Sequence, residues 1–252
     1  AAVSSGKVYL WPLDPSVEGY RRVLENPNIL SGFLNSVFYT VVGTAINLAM
    51  TMIAAYPMAR KDLPLRSFFS VLFAFTMLFG GGMIPNYILI MKLGMLNTRW
   101  ALLLPGALSV YNMIIARTAM QSLPDELLEA AYIDGCSDAR YFVRIVLPLS
   151  GATIAVLALY YAVGHWNSYF SAFMYLSDRS KYPLQIVLRE ILIMGQIAES
   201  DITDLDSAER IQGLSQLLKY ALIVISSAPM MLIYPFVQKY FKTGVTVGGV
   251  KG

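Results

Sequence analysis

The chain has 252 residues, of which 56% are hydrophobic and only 14% charged, where ordinary soluble domains carry about a quarter charged. Its net charge of +3 is too small to mark acidic or basic partners, and no basic run with interleaved aromatics points to nucleic acid. One cysteine, Cys136, excludes an intrachain disulfide, and one histidine without metal-ligand spacing leaves little basis for metal or nucleophilic catalysis.

Residues 1–30 are broken by Pro12, Pro15 and Pro27 and hold neither an apolar run of spanning length nor a signal peptide. They read as an N-terminal segment outside any span. No charge occurs from Asn26 to Ala59, enough for a first membrane span ending near Arg60, since a crossing helix needs about 20 residues. Gly43, Thr44, Ala45 and Ala49 suit close helix contact, and Asn47 reads as an interhelical hydrogen bond more readily than as a ligand contact. Arg60, Lys61 and Arg66 then crowd a short loop, a positive-inside signal.

A second span begins at Ser67 and is interrupted by Gly80, Gly81, Gly82 and Pro85. Each glycine weakens a helix by about 1 kcal/mol relative to alanine, and a break at membrane depth survives only where protein or water satisfies the backbone. The stretch up to Asn86 is therefore expected to face the interior of an assembly near the outer surface. A third span is expected over Trp100–Ala116, with Pro105 near its start, Tyr111 and Asn112 inside it, and Arg117 ending it.

Ser122–Pro148 is the most polar run in the chain, SLPDELLEAAYIDGCSDARYFVRIVLP. Ser122 with Asp125 three residues on is a capping-box pattern, and Pro124 falls in the first turn. Leu127, Leu128, Ala131 and Tyr132 give one apolar side to a short helix, which Gly135 ends in the left-handed conformation. A second short helix runs from Ser137, with Tyr141, Phe142 and Ile145 as its apolar side, until Pro148 starts the next element.

The spacing Glu129-Ala130-Ala131, Gly135, Ile145, Leu147, Pro148 resembles the EAA loop of ABC-importer permeases, E-A-A-x3-G-x9-I-x-L-P, at every position. The resemblance implies an all-α integral membrane protein of the type I importer permease fold. About five membrane helices are expected here, with the family's first helix missing from the given sequence. It implies that the EAA loop, 119–148, faces the cytoplasm and docks on an ATPase subunit through Leu127, Leu128, Glu129, Ala130, Ala131, Tyr132, Asp134 and Gly135. It also orients the other spans, since the loop around Arg60 and the EAA loop must lie on one side, two crossings apart, and it implies that residues 1–30 form an extracytoplasmic N-terminal segment.

The uncharged run from Ile145 to Ser177 carries Tyr160, Tyr161, His165, Trp166, Asn167, Ser168 and Tyr169. On a continuous helix Tyr161, His165 and Ser168 share a face, overlapped by Gly164 and Ser171, while Trp166, Phe170 and Phe173 point elsewhere. Rings cover the apolar faces of a pyranose while amides and hydroxyls meet its OH edges, so a sugar path through Tyr161, His165, Asn167 and Ser168, bordered by Asn86, Tyr111 and Asn112, is one reading. A hydrogen-bond seam between permease helices is the other.

An extracytoplasmic loop, 177–213, follows. Within it Leu184, Val187, Leu188, Ile191 and Leu192 oppose Gln185 and Arg189, an amphipathic helix expected at the outer interface. Glu199, Asp201, Asp204, Asp206 and Glu209 lack the glycine and terminal glutamate of a calcium loop and read as a solvated acidic segment. A last span, Leu214–Val237, should kink at Pro229 and Pro235. The transmembrane domain closes near 240, and residues 241–252 form a glycine-rich cytoplasmic tail.

No G-x-x-x-x-G-K-[ST] is present, and no Asp, Glu, Lys or Arg lies inside a proposed span. An ion-coupled carrier or channel, the alternative, and an intramembrane enzyme are both disfavoured on those grounds. Beyond the EAA loop, YPLQIVLREIL, GHWNSYF and YFKTGVTVGGVKG resemble sugar-importer permeases of the maltose-transporter type, in the branch associated with complex oligosaccharides. That resemblance implies a multi-pass subunit of the cytoplasmic membrane. It implies pairing with a second homologous permease, two ATPase subunits that bind ATP and Mg, and an extracytoplasmic solute-binding lipoprotein delivering an oligosaccharide. The chain itself is expected to hold no cofactor and perform no catalysis.

Overall fold

The computed structural model describes residues 20–21, 25, 27–200 and 219–232, the side chains of 194–200 excepted. The expected N-terminal segment, the acidic run from Asp201, the kink at Pro235 and the tail lie outside these residues. All regular structure among the described residues is helical.

Helix α1, Pro27–Ala59, is the spine of the molecule. Its buried stripe is small or polar: Gly32, Asn35, Ser36, Tyr39, Thr40, Gly43, Asn47, Thr51 and Ala55 face inward, while Leu30, Leu34, Val41 and Ile53 are exposed. This inverts a soluble helix. Lipid tolerates the leucines as well as a protein core would, so packing favours residues that allow close approach and hydrogen bonding. At 33 residues and 1.5 Å rise it spans about 50 Å, more than the roughly 30 Å of hydrocarbon.

The next pair, α2 (Arg66–Leu78) and α3 (Met83–Lys92), meets at a 108° bend. The interruption anticipated at the glycines is real: Gly82 has φ +88°, a conformation costly to any side chain. Asn86 is exposed on this arm. A single turn, α4 (Trp100–Leu103), precedes α5 (Val110–Gln121). The continuous third span expected over Trp100–Ala116 is thus corrected. Pro105 lacks an N–H, the chain unwinds through Gly106, and the helix restarts where the Ser109 hydroxyl accepts from Asn112 N at 3.4 Å. It also runs on past Arg117 to Gln121.

The polar loop folds as α6 (Asp125–Ile133), then α7 (Asp138–Tyr141), a π turn (Phe142–Val146) and α8 (Leu147–Leu149). The chain turns by 79° between Leu149 and Gly151, so the break falls after Pro148 rather than at it. Helix α9 (Gly151–Trp166) follows, then α10 (Phe170–Tyr175), a 3-10 turn (Arg179–Lys181), α11 (Leu184–Ser200) and α12 (Lys219–Leu232).

Two hydrophobic clusters hold α1 at its ends. One joins Met52, Ala55 and Met58 to Met113, Ala116 and Met120 of α5, Ala131 of α6, Tyr141, Val146 and Leu157. The other joins Ile29 and Trp166 to Leu184, Val187, Leu188, Ala221 and Leu222. The helical pattern expected over 184–192 is present, and Leu184, Val187 and Leu188 of its apolar face pack against α1, Trp166 and α12. Near the second cluster, polar groups of α1 satisfy the following loop's backbone. Asn35 donates to Ser180 O at 2.8 Å, Tyr39 to Lys181 O at 2.9 Å, and Ser36 accepts from Leu184 N at 2.8 Å.

Among the described residues α1 alone is long and apolar enough to cross a membrane, and the count rises to three if each bent pair, α2–α3 and α7–α9, is one span.

Candidate functional site

Two places bring the chemistry-bearing residues together. The first is the junction of α1 and the polar loop. Arg60 donates through Nη1 to Asp138 Oδ1 at 3.0 Å, through Nη2 to the Tyr132 hydroxyl at 2.8 Å, and through Nη2 and Nε to Asp62. Tyr132 in turn donates to Asp138 Oδ1 at 2.8 Å. Lys61 pairs with Asp125 of the first α6 turn. These bonds tie both halves of the loop to the end of α1. The Arg60 guanidinium holds the Asp62 carboxyl down at about 2, and the Asp62 hydrogen bonds in turn push Arg60 up.

Helix α6 begins differently from its sequence signature. Pro124, not Ser122, sits at the N-cap with ψ 135° and makes no side-chain cap; the Ser122 hydroxyl donates back to Ala119 O at 2.8 Å. Proline here fixes φ and lacks only a donor that would be orphaned anyway. The exit is as expected. Gly135 has φ +68°, and Cys136 N bonds Ala131 O at 2.8 Å while Gly135 N bonds Tyr132 O at 3.0 Å, the paired bonds of a Schellman end.

The apolar side expected to face a partner is divided by this geometry. Ala131 is buried in the chain's own core and Leu128 packs on it. Leu127, Ala130 and Ile133 face outward, Ile133 at 87% exposure. Ile133 had no part in the sequence argument, though its position two residues beyond Ala131 places it on the opposite side of the helix. Glu129, Tyr132 and Asp134 are exposed. A cavity of about 520 Å3 lies between the helix and α1, lined by Arg60, Arg66, Asp125, Glu129 and Tyr132 among others.

The second place is inside the bundle. His165 Nε2 meets Asn47 Oδ1 at 3.4 Å, and Asn47 donates to Gly106 O at 3.1 Å, capping the unwound stretch after α4. The Tyr161 hydroxyl sits 2.6 Å from Thr51 Oγ1 and accepts from Ser109 N at 3.3 Å. Gly43 permits the approach of the imidazole, since a Cβ there would lie 2.4 Å from His165 Nε2.

Beside these groups opens a cavity of about 370 Å3, lined by Asn47, Tyr160, Tyr161, His165, Ser168, Ser171 and Tyr175 together with Ala101, Leu102, Pro105, Gly106 and Gly164. The expected continuous helical face does not exist, because α9 ends at Trp166; Ser168 and Ser171 reach the cavity across the turn into α10. Asn167 does not line it. It donates to Val163 O at 2.9 Å as the end of α9. Asn86, Tyr111 and Asn112 are likewise not among the lining residues. Trp166 is buried against Phe33 and donates to Ser226 O, while Phe170 and Phe173 are exposed. Tyr175 was missed by sequence reasoning because the break after Trp166 resets the helical phase.

Such a cavity offers hydroxyl, amide and imidazole groups on an aromatic wall, with no carboxylate, lysine or arginine among its lining residues. It suits a neutral, hydroxyl-rich surface better than an ion.

Residues 29–247 match the family model described as binding-protein-dependent transport system inner membrane component. The chain is 42% identical over 250 residues to the polygalacturonan/rhamnogalacturonan transport system permease protein YtcP of Bacillus subtilis, covering 99% of this chain and 87% of the relative. It is 42% identical over 252 residues to protein LplC of the same organism, covering 100% and 84%. A solved structure, a bacterial ABC transporter involved in the import of the acidic polysaccharide alginate, superposes with a TM-score of 0.83 at 31% identity, over 95% of this chain and 85% of the other.

Proposed function

The chain belongs to the family of binding-protein-dependent transport system inner membrane components, and on that premise we propose that it forms half of the path of an ATP-driven oligosaccharide importer. It is a membrane-embedded, non-catalytic permease subunit; ATP hydrolysis resides on a partner. The ion-coupled alternative is not favoured by relatives that are named as permeases of transport systems for polysaccharides and oligosaccharides.

The observation that carries the sugar reading is the cavity around His165 and Tyr161. Its donors and acceptors are uncharged at the lining, and Tyr160, Tyr161 and Tyr175 supply faces for a pyranose. The same groups bonded among themselves give the seam reading, and His165–Asn47 and Tyr161–Thr51 already pair. A volume of about 370 Å3 beside those pairs is what favours the path.

In the proposed assembly five membrane helices of this chain, its first residues outside, pack against a homologous permease. One of two ATPase subunits, which bind ATP and Mg, seats against α6 through Leu127, Glu129, Ala130, Tyr132 and Ile133, and a solute-binding lipoprotein delivers the sugar from outside. The deciding experiment is uptake by the reconstituted importer of labelled oligogalacturonides and neutral oligosaccharides, with His165→Ala and Ser171→Ala. Uptake falling in both variants while the complex still purifies supports a path. Wild-type uptake in both reduces the cluster to a packing seam.

A further inference from the structure

Arg66, the first residue of α2, and Arg117, in the last turns of α5, lie together just beyond the junction described above, with Ser70 between them. Ser70 Oγ donates to Arg66 O at 2.8 Å and accepts from Arg117 Nη1 at 3.2 Å. The Nε–H of each arginine is shielded from solvent and has no acceptor. Neither forms an ion pair among the described residues, although Arg60 and Lys61 nearby are both paired. The charge of Arg66 also acts unfavourably on Arg117.

Two like charges sharing one sheltered place without a counter-ion are unfavourable, and orphaned buried donors add to the cost. Glu129 borders the same cavity as Arg66 yet does not pair with it. The start of α2 has no side-chain cap either, so its free backbone N–H groups and the positive end of its dipole add to the local positive field. Around this place the surface residues are Leu65, Phe68, Phe69 and Val71, all exposed. Those groups belong among acyl chains.

We infer that Arg66, Arg117 and the uncapped start of α2 bind the phosphate of an anionic phospholipid headgroup. The orientation proposed above puts this site in the inner leaflet. Phosphate supplies several acceptor oxygens to two guanidiniums at once, and the anionic lipids of the inner leaflet attract clustered basic residues at that depth. A carboxylate from a partner protein would also answer the charge, but it would not account for the apolar rim beside the arginines, and the test below separates the two.

The test uses the purified transporter complex, in detergent, incubated with phosphatidylglycerol, with phosphatidylcholine or with inorganic phosphate. Retained lipid is counted by native mass spectrometry and thermal stability is measured in parallel. Wild type should retain phosphatidylglycerol over phosphatidylcholine, and Arg66→Gln/Arg117→Gln should weaken that retention about 30-fold, from about 1 kcal/mol per basic residue. Arg140→Gln, an exposed arginine elsewhere on the loop, should retain lipid as wild type does. No lipid preference in the wild type overturns the inference without any variant having to fold. Equal stabilisation by inorganic phosphate overturns the lipid assignment, and so does loss of the ATPase subunit from the double variant with lipid retention unchanged. None of these readouts depends on which sugar is carried.

Discussion

Arg60 and Asp138, 78 positions apart, meet at 3.0 Å and join the end of the longest helix to the second half of the polar loop. The Arg60 side chain is only 16% exposed while that of Asp138 is 62% exposed. The arginine is thus the anchored member, and it holds Asp62 and Tyr132 as well. A rigid connection of this kind is what a loop must have if movement at α6 is to reach α1.

Replacing Arg60 by methionine keeps much of its stem packing but removes every one of these bonds. Partly exposed pairs are individually weak, at about 0–1 kcal/mol, so the cost in stability should be about 1–2 kcal/mol for the set. The larger effect is expected in coupling. ATP hydrolysis by the assembled complex should persist while its stimulation by loaded binding protein falls severalfold. Full stimulation in Arg60→Met would show that α6 moves α1 by another route.

The same hub sets a pH dependence with a definite sign. Arg60 lowers the Asp62 carboxyl from 3.8 to about 2, so whatever stability the pair contributes is present above the unfolded value and lost as pH falls through the folded one. The difference in melting temperature between wild type and Asp62→Asn should therefore be the same at about pH 7 and pH 5, and shrink at about pH 3. A difference that already changes between pH 7 and pH 5 would assign the hub to another titrating group. Screening by solvent keeps the effect small.

Gly43 faces His165 so closely that its substitution is informative. A methyl at this position would stand 2.4–2.7 Å from three ring atoms of the imidazole. Gly43→Ala should destabilise the complex by about 1–3 kcal/mol through overpacking, and swing His165 away from Asn47. Adding His165→Ala removes the ring and should recover most of the lost melting temperature. Additive losses in the double variant would mean that the glycine matters for helix approach and not for the histidine.

Legibility in the sequence followed the range of the forces. The first span, the broken second span and the Gly135 exit were all readable, because uncharged length, a glycine triplet and a left-handed turn are local properties. The cap at Ser122 was not, since Pro124 and Ser122 compete for one role and the hydroxyl found a nearer acceptor in Ala119 O. Helical phase carried Tyr161, His165, Ser168 and Ser171 to one cavity, but α9 stops at Trp166, so the two serines arrive across the turn into α10 and Tyr175 of that new helix joins them unforeseen. The long-range bonds of Arg60 and Asn47 depend on residues 59 to 118 positions away, and nothing in their neighbourhood announces them. Asn47 makes the structural hydrogen bond that its place in the span predicts, yet it also borders the cavity.

The neighbouring alanines of the EAA pattern should behave as opposites. Ala131 is 5% exposed and packs in the cluster of Met58, Met120 and Tyr141, whereas Ala130 faces outward beside Leu127 and Ile133. Ala131→Trp must therefore displace the chain's own core and should cost well over the about 1–3 kcal/mol typical of overpacking, lowering the melting temperature of the permease itself. Ala130→Trp meets no neighbour within this chain. It should leave the melting temperature unchanged and weaken co-purification of the ATPase subunit, as should Ile133→Asp, which puts a charge on an apolar contact. Gly135→Val belongs with the first group, because its φ of +68° costs a branched side chain about 1–2 kcal/mol. Melting curves and ATPase co-purification for all four variants separate the two surfaces. If Ala130→Trp and Ile133→Asp retain the ATPase at wild-type stoichiometry, the outward side of α6 is not where the partner docks.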